Sequence, residues 1–215
     1  MPWIEQLRSA NWSLVSGIAL TAYLLGCFTA GYYVVRLRLG CDIRDSGSGS
    51  VGARNVGRLL GWQGFLLTLL GDFGKGALAV WLALRCATDE WPVVIGMLAV
   101  VAGHVWPAQL RFRGGKGMAT SLGALLIYDF QLALVFALLF AAVFAALRKT
   151  VLPGLLAMAS LPAVSWYLKH DPTEALGVFT LAALVLIAHR ANLMNEISRL
   201  LDRRNLSPKH GPPEL

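Results

Sequence analysis

The residues with the clearest chemical potential lie in the stretch 103–120, which reads GHVWPAQLRFRGGKGMAT. Its second half places two arginines before Gly114-Gly115-Lys116-Gly117. Glycines allow sharp turns that bring several backbone N–H groups near one point, and a lysine adds a mobile positive charge. This combination suits a bound phosphate. A basic loop held on the cytoplasmic side of a membrane has a similar composition, so the stretch alone leaves both interpretations open.

A second candidate lies in the stretch 42–58, which reads DIRDSGSGSVGARNVGR. Its G-x-G-x-x-G pattern at 47–52 is typical of dinucleotide sites only when it follows a β-strand, and no strand pattern precedes it here. Serines alternate with these glycines, so amides and hydroxyls are available to an oxyanion. Arg54 and Arg58 are four residues apart and would share a helix face. A flexible, charged loop is the alternative interpretation.

Two charged residues interrupt an otherwise apolar run at 71–76, which reads GDFGKG. Charges within a membrane are costly unless they are paired or face a polar interior. Asp72 and Lys75 are three residues apart and can neutralise each other on one helix face, while the nearby glycines allow a neighbouring helix to pack closely. We favour a structural pair facing the bundle interior over direct contact with a substrate.

Two histidines follow apolar runs at corresponding membrane levels. His104 lies at the membrane exit of the third run, and His189 follows the last run together with Arg190 and Asn192. A histidine at a helix end is often only an interfacial residue, but two beside basic clusters favour a functional role. The sequence contains no metal-ligand pattern and no catalytic triad, so neither a metal nor another cofactor is predicted.

The composition is that of an integral membrane protein. Of 215 residues, 56% are hydrophobic and 14% are charged, with a mean hydropathy of +0.60, whereas soluble domains carry about 25% charged residues. The net charge of +7 is interpreted as an orientation signal and a means of binding anions, since no nucleic-acid-binding pattern accompanies it. The apolar runs that predict an all-α bundle cover about 13–35, 62–84, 93–110, 118–127, 130–147, 151–168 and 175–188.

The number of membrane crossings depends on the short run at 118–127. With seven crossings, all but four of the 19 lysines and arginines fall on one side, the exceptions being Arg8, Arg85, Lys169 and the membrane-embedded Lys75. With six, the Arg148-Lys149 pair and the basic tail would be on the wrong sides. We therefore predict seven transmembrane helices, with the N-terminus outside and the C-terminus in the cytoplasm. Residues 1–215 would form one domain with a polar tail from about 201.

Taken together, these motifs resemble the bacterial acyl-phosphate:glycerol-3-phosphate acyltransferase family. GSGSVGARNVGR at 47–58 resembles the family's GSGNxGATNxxR, and DFGKG at 72–76 resembles DxxKG. The stretch 103–120 resembles GHxFPxxLxFxGGKGVAT, and HRANLMNEISRL at 189–200 resembles HRxNIxRL. The resemblance covers nearly the whole chain.

The resemblance implies an enzyme of the bacterial inner membrane that starts phospholipid synthesis. It would transfer a fatty acyl group from acyl phosphate to the 1-hydroxyl of glycerol 3-phosphate, giving lysophosphatidate and phosphate. The active site would lie on the cytoplasmic face. The expected partners are these two substrates and membrane lipids, with no nucleic acid, and the protein is expected to be a monomer.

The resemblance also implies roles for individual residues. Ser48, Arg58 and Lys116 would hold the acceptor phosphate. His104, His189 and Asn192, together with Lys116, would form the catalytic set. The full substrate-binding set is Gly47, Ser48, Gly49, Ser50, Arg54, Asn55, Arg58, Gly114, Gly115 and Lys116. Because acyl phosphate has a good leaving group, such a site would supply positioning and charge stabilisation rather than a covalent nucleophile.

Three departures from the family pattern leave the acceptor open. Ser50 replaces Asn, Arg54 replaces Thr, and the usual Gly-x-Glu segment after Asn192 is missing. A phosphorylated acceptor other than glycerol 3-phosphate is one alternative. The other is a non-catalytic or transport-like protein that binds a phosphorylated metabolite or lipid. A transporter of this kind should have repeated halves or broken helices in matching positions, and the sequence predicts neither.

Overall fold

The computed structural model describes residues 11–195 and 198, in which all regular secondary structure is helical. Its principal helices are α1 (Trp12–Cys27), α2 (Ala30–Leu39), α3 (Ala53–Cys86), α4 (Glu90–Val105), α5 (Met118–Tyr128), α6 (Phe130–Leu147), α7 (Val151–Lys169) and α8 (Pro172–Ala188). Short 3₁₀ turns at Ile43–Asp45 and Ala108–Leu110 lie in the two long loops. Arg8 and the basic tail beyond 198, which entered the charge comparison, lie outside the described residues.

All seven predicted apolar runs are helical, which confirms the all-α membrane architecture. Five segments are long and apolar enough to cross a membrane: Trp12–Leu39, Ala53–Cys86, Glu90–Leu110, Phe130–Leu147 and Val151–Lys169. Helices α5 and α8 are apolar but shorter. With 11 residues, α5 is about 16 Å long against a hydrocarbon core of about 30 Å.

Two helical segments contain breaks that the sequence did not predict. The first run is divided between α1 and α2, where Phe28 and Thr29 are extended. Helix α3 begins at Ala53 rather than near residue 62. It is interrupted at Gly61, which has φ 70° and ψ −165°. Glycine tolerates this conformation, which separates an arginine-bearing arm, 53–60, from the apolar part of α3.

Small residues bring the helix backbones into contact around the site. A Cβ at Gly26 of α1 would overlap the Val100 carbonyl of α4, and one at Gly123 of α5 would overlap the Phe73 carbonyl of α3. This close packing is typical of membrane helices, whose association depends on van der Waals contact rather than on the hydrophobic effect. It fixes α3, which carries Arg54, Asn55 and Arg58, against α5, and it fixes α4, which carries His104, against α1.

A polar cluster joins the helix ends at one end of the bundle. Tyr128 donates a hydrogen bond to Glu90 (2.6 Å) at the start of α4. Lys169 bridges Asp129 and Glu174, the latter at 2.9 Å. The candidate stretches 42–58, 103–120 and 189–192 adjoin the start of α3, the end of α4 and the end of α8. These helix ends are opposite to the polar cluster, so the bundle has two chemically distinct polar ends.

Candidate active site

The first loop is organised around the buried side chain of Asn55. Its Oδ1 accepts a hydrogen bond from the Ser48 amide (3.0 Å), and its Nδ2 donates to the carbonyls of Ser46 and Ser50, each at 2.9 Å. A Cβ at Gly47 would overlap Asn55 Oδ1. Asn55 therefore holds the loop from beneath, while Ser48 remains exposed at its surface.

The two remaining candidates in this loop also have local structural contacts. Gly49 has φ 68°, a conformation that favours glycine. The Ser50 hydroxyl accepts a hydrogen bond from the Gly52 amide (3.3 Å). These contacts shape the chain that leads from α2 into the arm of α3.

Arg54 and Arg58 are both helical, as predicted, and lie on the same face of the arm. They line a cavity of about 320 Å³ together with Gly57, Gly61, Trp62 and Phe65. Trp62 is 71% exposed. The cavity is therefore lined by two cationic groups and by an aromatic wall of Trp62 and Phe65. Sequence reasoning missed this aromatic wall, although Trp62 and Phe65 follow Arg58 at helical spacing.

Arg44, rather than Arg54, is the partner of Asp42. The two side chains form an ion pair at 2.6 Å, and the hydrogen bond from Arg44 contributes most to holding the pKa of Asp42 below its usual value despite partial burial. Arg44 also donates to the Leu110 carbonyl (2.7 Å), which ties the first loop to the second. Within the described residues, Arg54 forms no ion pair with Asp42.

The second loop folds back onto the end of α4. The Gly114 amide donates to the Val105 carbonyl (3.1 Å), and the Gly115 amide donates to the His104 carbonyl (3.0 Å). The carbonyls of α4 therefore already accept from these two amides, so neither N–H group is directed at a phosphate. A Cβ at Gly114 would overlap the His104 carbonyl, so a close approach of two backbones explains this glycine.

Lys116 extends from this loop toward the segment after α8. Its Nζ donates to Asn192 Oδ1 at 2.7 Å. In the same segment, His189 is buried, and its Nδ1 lies 2.8 Å from the Val185 carbonyl. Because a carbonyl only accepts hydrogen bonds, Nδ1 carries the proton and Nε2 of the neutral ring is left with its lone pair.

The pKa shifts link residues from all three predicted clusters. Burial lowers the pKa of Lys116, and the positive charges of Arg54 and Arg58 lower it further. Burial also lowers the pKa of His189, an effect that Lys116 and Arg54 increase and that the hydrogen bond to Val185 opposes. The region between Arg54, Arg58, Lys116 and His189, which we call the cleft, thus concentrates positive charge near a histidine that is neutral at pH 7. A bound anion would relieve this repulsion.

His104 lies behind this cleft rather than in it. Its side chain is almost fully buried, and Nδ1 lies 2.8 Å from Lys75 Nζ. Lys75 in turn pairs with Asp72 at 3.0 Å, and both side chains are buried. The prediction of an interior Asp72–Lys75 pair is confirmed. Of the predicted catalytic set, Lys116 contacts Asn192, whereas the polar contacts of the His104 side chain are with Lys75 and Asp72.

Comparison with known proteins gives a consistent result. The family model described as glycerol-3-phosphate acyltransferase matches residues 16–201. The chain is 43% identical over 185 residues to glycerol-3-phosphate acyltransferase 1 of Desulfitobacterium hafniense (strain Y51), covering 86% of this chain and 92% of that protein. It is 40% identical to the glycerol-3-phosphate acyltransferase of Gloeobacter violaceus, covering 94% and 98%.

Solved structures resemble the chain over most of its length. The crystal structure of PlsY (YgiH), an integral membrane glycerol 3-phosphate acyltransferase, in its glycerol 3-phosphate form has a TM-score of 0.79 at 33% identity. It covers 88% of this chain and 93% of that protein. The lysophosphatidic acid form of PlsY has a TM-score of 0.77 at 31% identity.

Proposed function

Because the chain belongs to the glycerol-3-phosphate acyltransferase family, and is therefore an acyltransferase of phospholipid synthesis, we propose its substrates and products. It transfers a fatty acyl group from acyl phosphate to the 1-hydroxyl of glycerol 3-phosphate, giving lysophosphatidate and phosphate. The observation that carries this proposal is the grouping of Lys116 and Arg54 near neutral His189, with Arg58 near Lys116 and Asn192 hydrogen-bonded to Lys116. Two phosphorylated substrates that react with each other require such a concentration of positive charge.

The acceptor phosphate is held by Lys116, Arg58 and the exposed Ser48. Arginine and lysine form charge-assisted hydrogen bonds to phosphate, each contributing about 1.5–3 kcal/mol. Binding also removes the repulsion between Lys116 and the two arginines, which adds to the affinity. The acyl chain of the donor leaves the cleft along Trp62 and Phe65 toward the membrane.

His189 accepts the proton of the 1-hydroxyl through Nε2 as the oxygen attacks the acyl carbonyl carbon. The bond between that carbon and the phosphate oxygen breaks, and phosphate leaves with the electron pair. Asn192 is oriented because its Oδ1 accepts from Lys116, which directs its NH₂ group away from the lysine. This NH₂ group stabilises the negative charge that develops on the carbonyl oxygen.

The other predicted site residues shape the cleft without contacting the substrates. Gly47, Gly49, Ser50 and Asn55 set the course of the first loop. Gly114 and Gly115 seat the second loop on α4. This division of roles predicts that substitutions in the shaping group reduce activity by displacing Ser48 or Lys116.

The protein crosses the bacterial inner membrane seven times as a single-domain monomer, with its N-terminus outside and the active site cytoplasmic. The two distinct polar ends of the bundle support this arrangement. The exposed thiol of Cys41 lies on the active-site side, whereas Thr88 lies between α3 and α4 at the other end. In intact cells, an impermeant maleimide should label Thr88→Cys in a Cys41→Ser, Cys86→Ser background, and should label Cys41 only after permeabilisation. The opposite pattern would overturn the orientation.

Arg54 selects between acceptors. It lines the cavity beside Arg58 and acts electrostatically on Lys116, so it adds a third cation where two suffice for one phosphate monoester. Arg54→Thr should therefore raise, by several-fold, the ratio of kcat/KM for glycerol 3-phosphate to kcat/KM for an acceptor that carries a second phosphate. An unchanged ratio in an active variant would mean that Arg54 does not select the acceptor.

The direct test of the proposed reaction is phosphate release by the purified protein. Palmitoyl phosphate alone should release little phosphate, and addition of glycerol 3-phosphate should start steady release. If another phosphorylated polyol starts release and glycerol 3-phosphate does not, the proposed acceptor is wrong. If no acceptor starts release, the proposed donor is wrong.

A further inference from the structure

Three buried polar side chains lie between the two loops of the site without reaching the cleft. Asp72, Lys75 and His104 are 2%, 6% and 3% exposed. Lys75 Nζ contacts Asp72 Oδ1 at 3.0 Å and His104 Nδ1 at 2.8 Å. The proposed reaction uses none of them directly, so their presence at this depth needs a separate explanation.

One side of this cluster forms hydrogen bonds with the backbone groups left unpaired at the break between α1 and α2. Lys75 donates to the carbonyls of Gly26 (2.9 Å) and Phe28 (2.7 Å), and Asp72 accepts from the Ala30 amide (3.3 Å). Broken helices expose backbone groups that find no water within a membrane and must be paired inside the protein. The cluster therefore fixes the starting point of α2, which leads directly into the first loop.

The other side of the cluster touches the second loop. Lys75 Nζ at 2.8 Å and Asp72 Oδ1 at 3.4 Å both face His104 Nδ1, and Nε2 is directed at the second loop. A Cβ at Gly115 would overlap this Nε2. Gly115 also donates to the His104 carbonyl at 3.0 Å. His104 thus contacts the residue before Lys116 with both its ring and its backbone.

We propose that Asp72, Lys75 and His104 are positioning residues that hold the two phosphate-binding loops in register. A shift of the break displaces α2 and the first loop, and a shift of His104 displaces Gly115 and Lys116. The helix break and His104 both contact the Lys75 ammonium group. The distance between Ser48 and Lys116 is therefore set by the same three side chains. Gln109, in the 3₁₀ turn of the second loop, adds a parallel connection by donating to the Cys27 carbonyl.

The test measures whether Gly115 depends on the cluster. In the wild-type background, Gly115→Ala should lower kcat/KM about a hundredfold, because the new Cβ overlaps a ring that cannot move, and displacements near 1 Å have effects of this size. In a His104→Ala or Lys75→Met background the ring is absent or released. In either of these backgrounds, Gly115→Ala should lower kcat/KM about tenfold or less. Gly74→Ala is the matched control, because a Cβ at Gly74 meets no atom within 4 Å.

A second readout separates positioning from a structural role. His104→Ala and Lys75→Met should each raise KM for glycerol 3-phosphate at least several-fold in protein that remains folded, as judged by its thermal unfolding in detergent. A merely structural cluster would lower the melting temperature and leave KM unchanged. The inference is overturned if Gly115→Ala has the same effect in all three backgrounds, or if KM does not rise in either single variant.

This inference rests on the proposed function, and the experiment distinguishes the two. Wild-type turnover of palmitoyl phosphate and glycerol 3-phosphate is measured first. An inactive wild type would contradict both the proposed reaction and the positioning role. An active wild type whose sensitivity to Gly115→Ala is independent of background would contradict the positioning role alone.

Discussion

Replacement of Lys116 by alanine is expected to lower kcat/KM for glycerol 3-phosphate at least tenfold. A charge-assisted hydrogen bond to phosphate contributes about 1.5–3 kcal/mol, and about 1.4 kcal/mol corresponds to a factor of ten. Lys116 also orients Asn192 through the hydrogen bond at 2.7 Å, so its loss should affect kcat as well as KM. The measurement is initial-rate kinetics with both substrates varied.

Arg38→Ala is the matched control for Lys116→Ala. It removes the same charge from an exposed residue in the last turn of α2. An exposed substitution of this kind should leave kcat/KM within about twofold of wild type. If Lys116→Ala is equally mild, the lysine is not part of the phosphate site.

Replacement of His189 by alanine is expected to lower kcat by about a hundredfold or more, the usual range for loss of a general base being 10²–10⁴. The effect should be mainly on kcat, since the proposed role of this histidine is to accept a proton rather than to hold a phosphate. His170→Ala, an exposed histidine at the C-terminal end of α7, should change kcat by no more than about twofold. Comparable losses in the two variants would contradict the assignment.

The pH profile tests the same residue independently. The base must be neutral, and the pKa of His189 is lowered by burial and by Lys116 and Arg54. Activity should therefore fall with acid only below the usual histidine range near pH 6.5. Arg54→Thr removes one cation, raises the pKa of His189 and should move the acid limb to higher pH. Because both proteins use the same substrates, ionisation of the substrate phosphates affects both profiles alike. An unmoved limb would mean that the limb does not report on His189.

The helices could be predicted because membrane insertion constrains composition directly. Seven apolar runs gave seven helical regions, and the Asp72–Lys75 pair could be predicted because unpaired charges are costly at that depth. The orientation of individual side chains in the loops was not accessible in this way. Asparagine and glycine suit phosphate binding, but the side chain of Asn55 is used within the first loop and the amides of Gly114 and Gly115 donate to carbonyls of α4.

The helix breaks were missed for a related reason. An apolar run of more than 20 residues predicts one span, and no residue within 13–35 marks a break. The residues that stabilise the break are Asp72 and Lys75 of α3, which form hydrogen bonds with its backbone groups. Gly61 was one of many glycines, and only the backbone conformation distinguishes it. Broken helices are common in transporters, where they occur in matching positions of two repeats. Here both breaks precede α4, and they place the first loop and the arginine arm.

The most direct test of the account is the stoichiometry of the wild-type reaction. The purified protein is incubated with palmitoyl phosphate and glycerol 3-phosphate, and phosphate and lysophosphatidate are quantified together over time. The account predicts that the two products appear in equal amounts, with the acyl group on the 1-hydroxyl, and that neither appears without glycerol 3-phosphate. Phosphate release without lysophosphatidate, or formation of lysophosphatidate from palmitoyl-coenzyme A but not from palmitoyl phosphate, would contradict it.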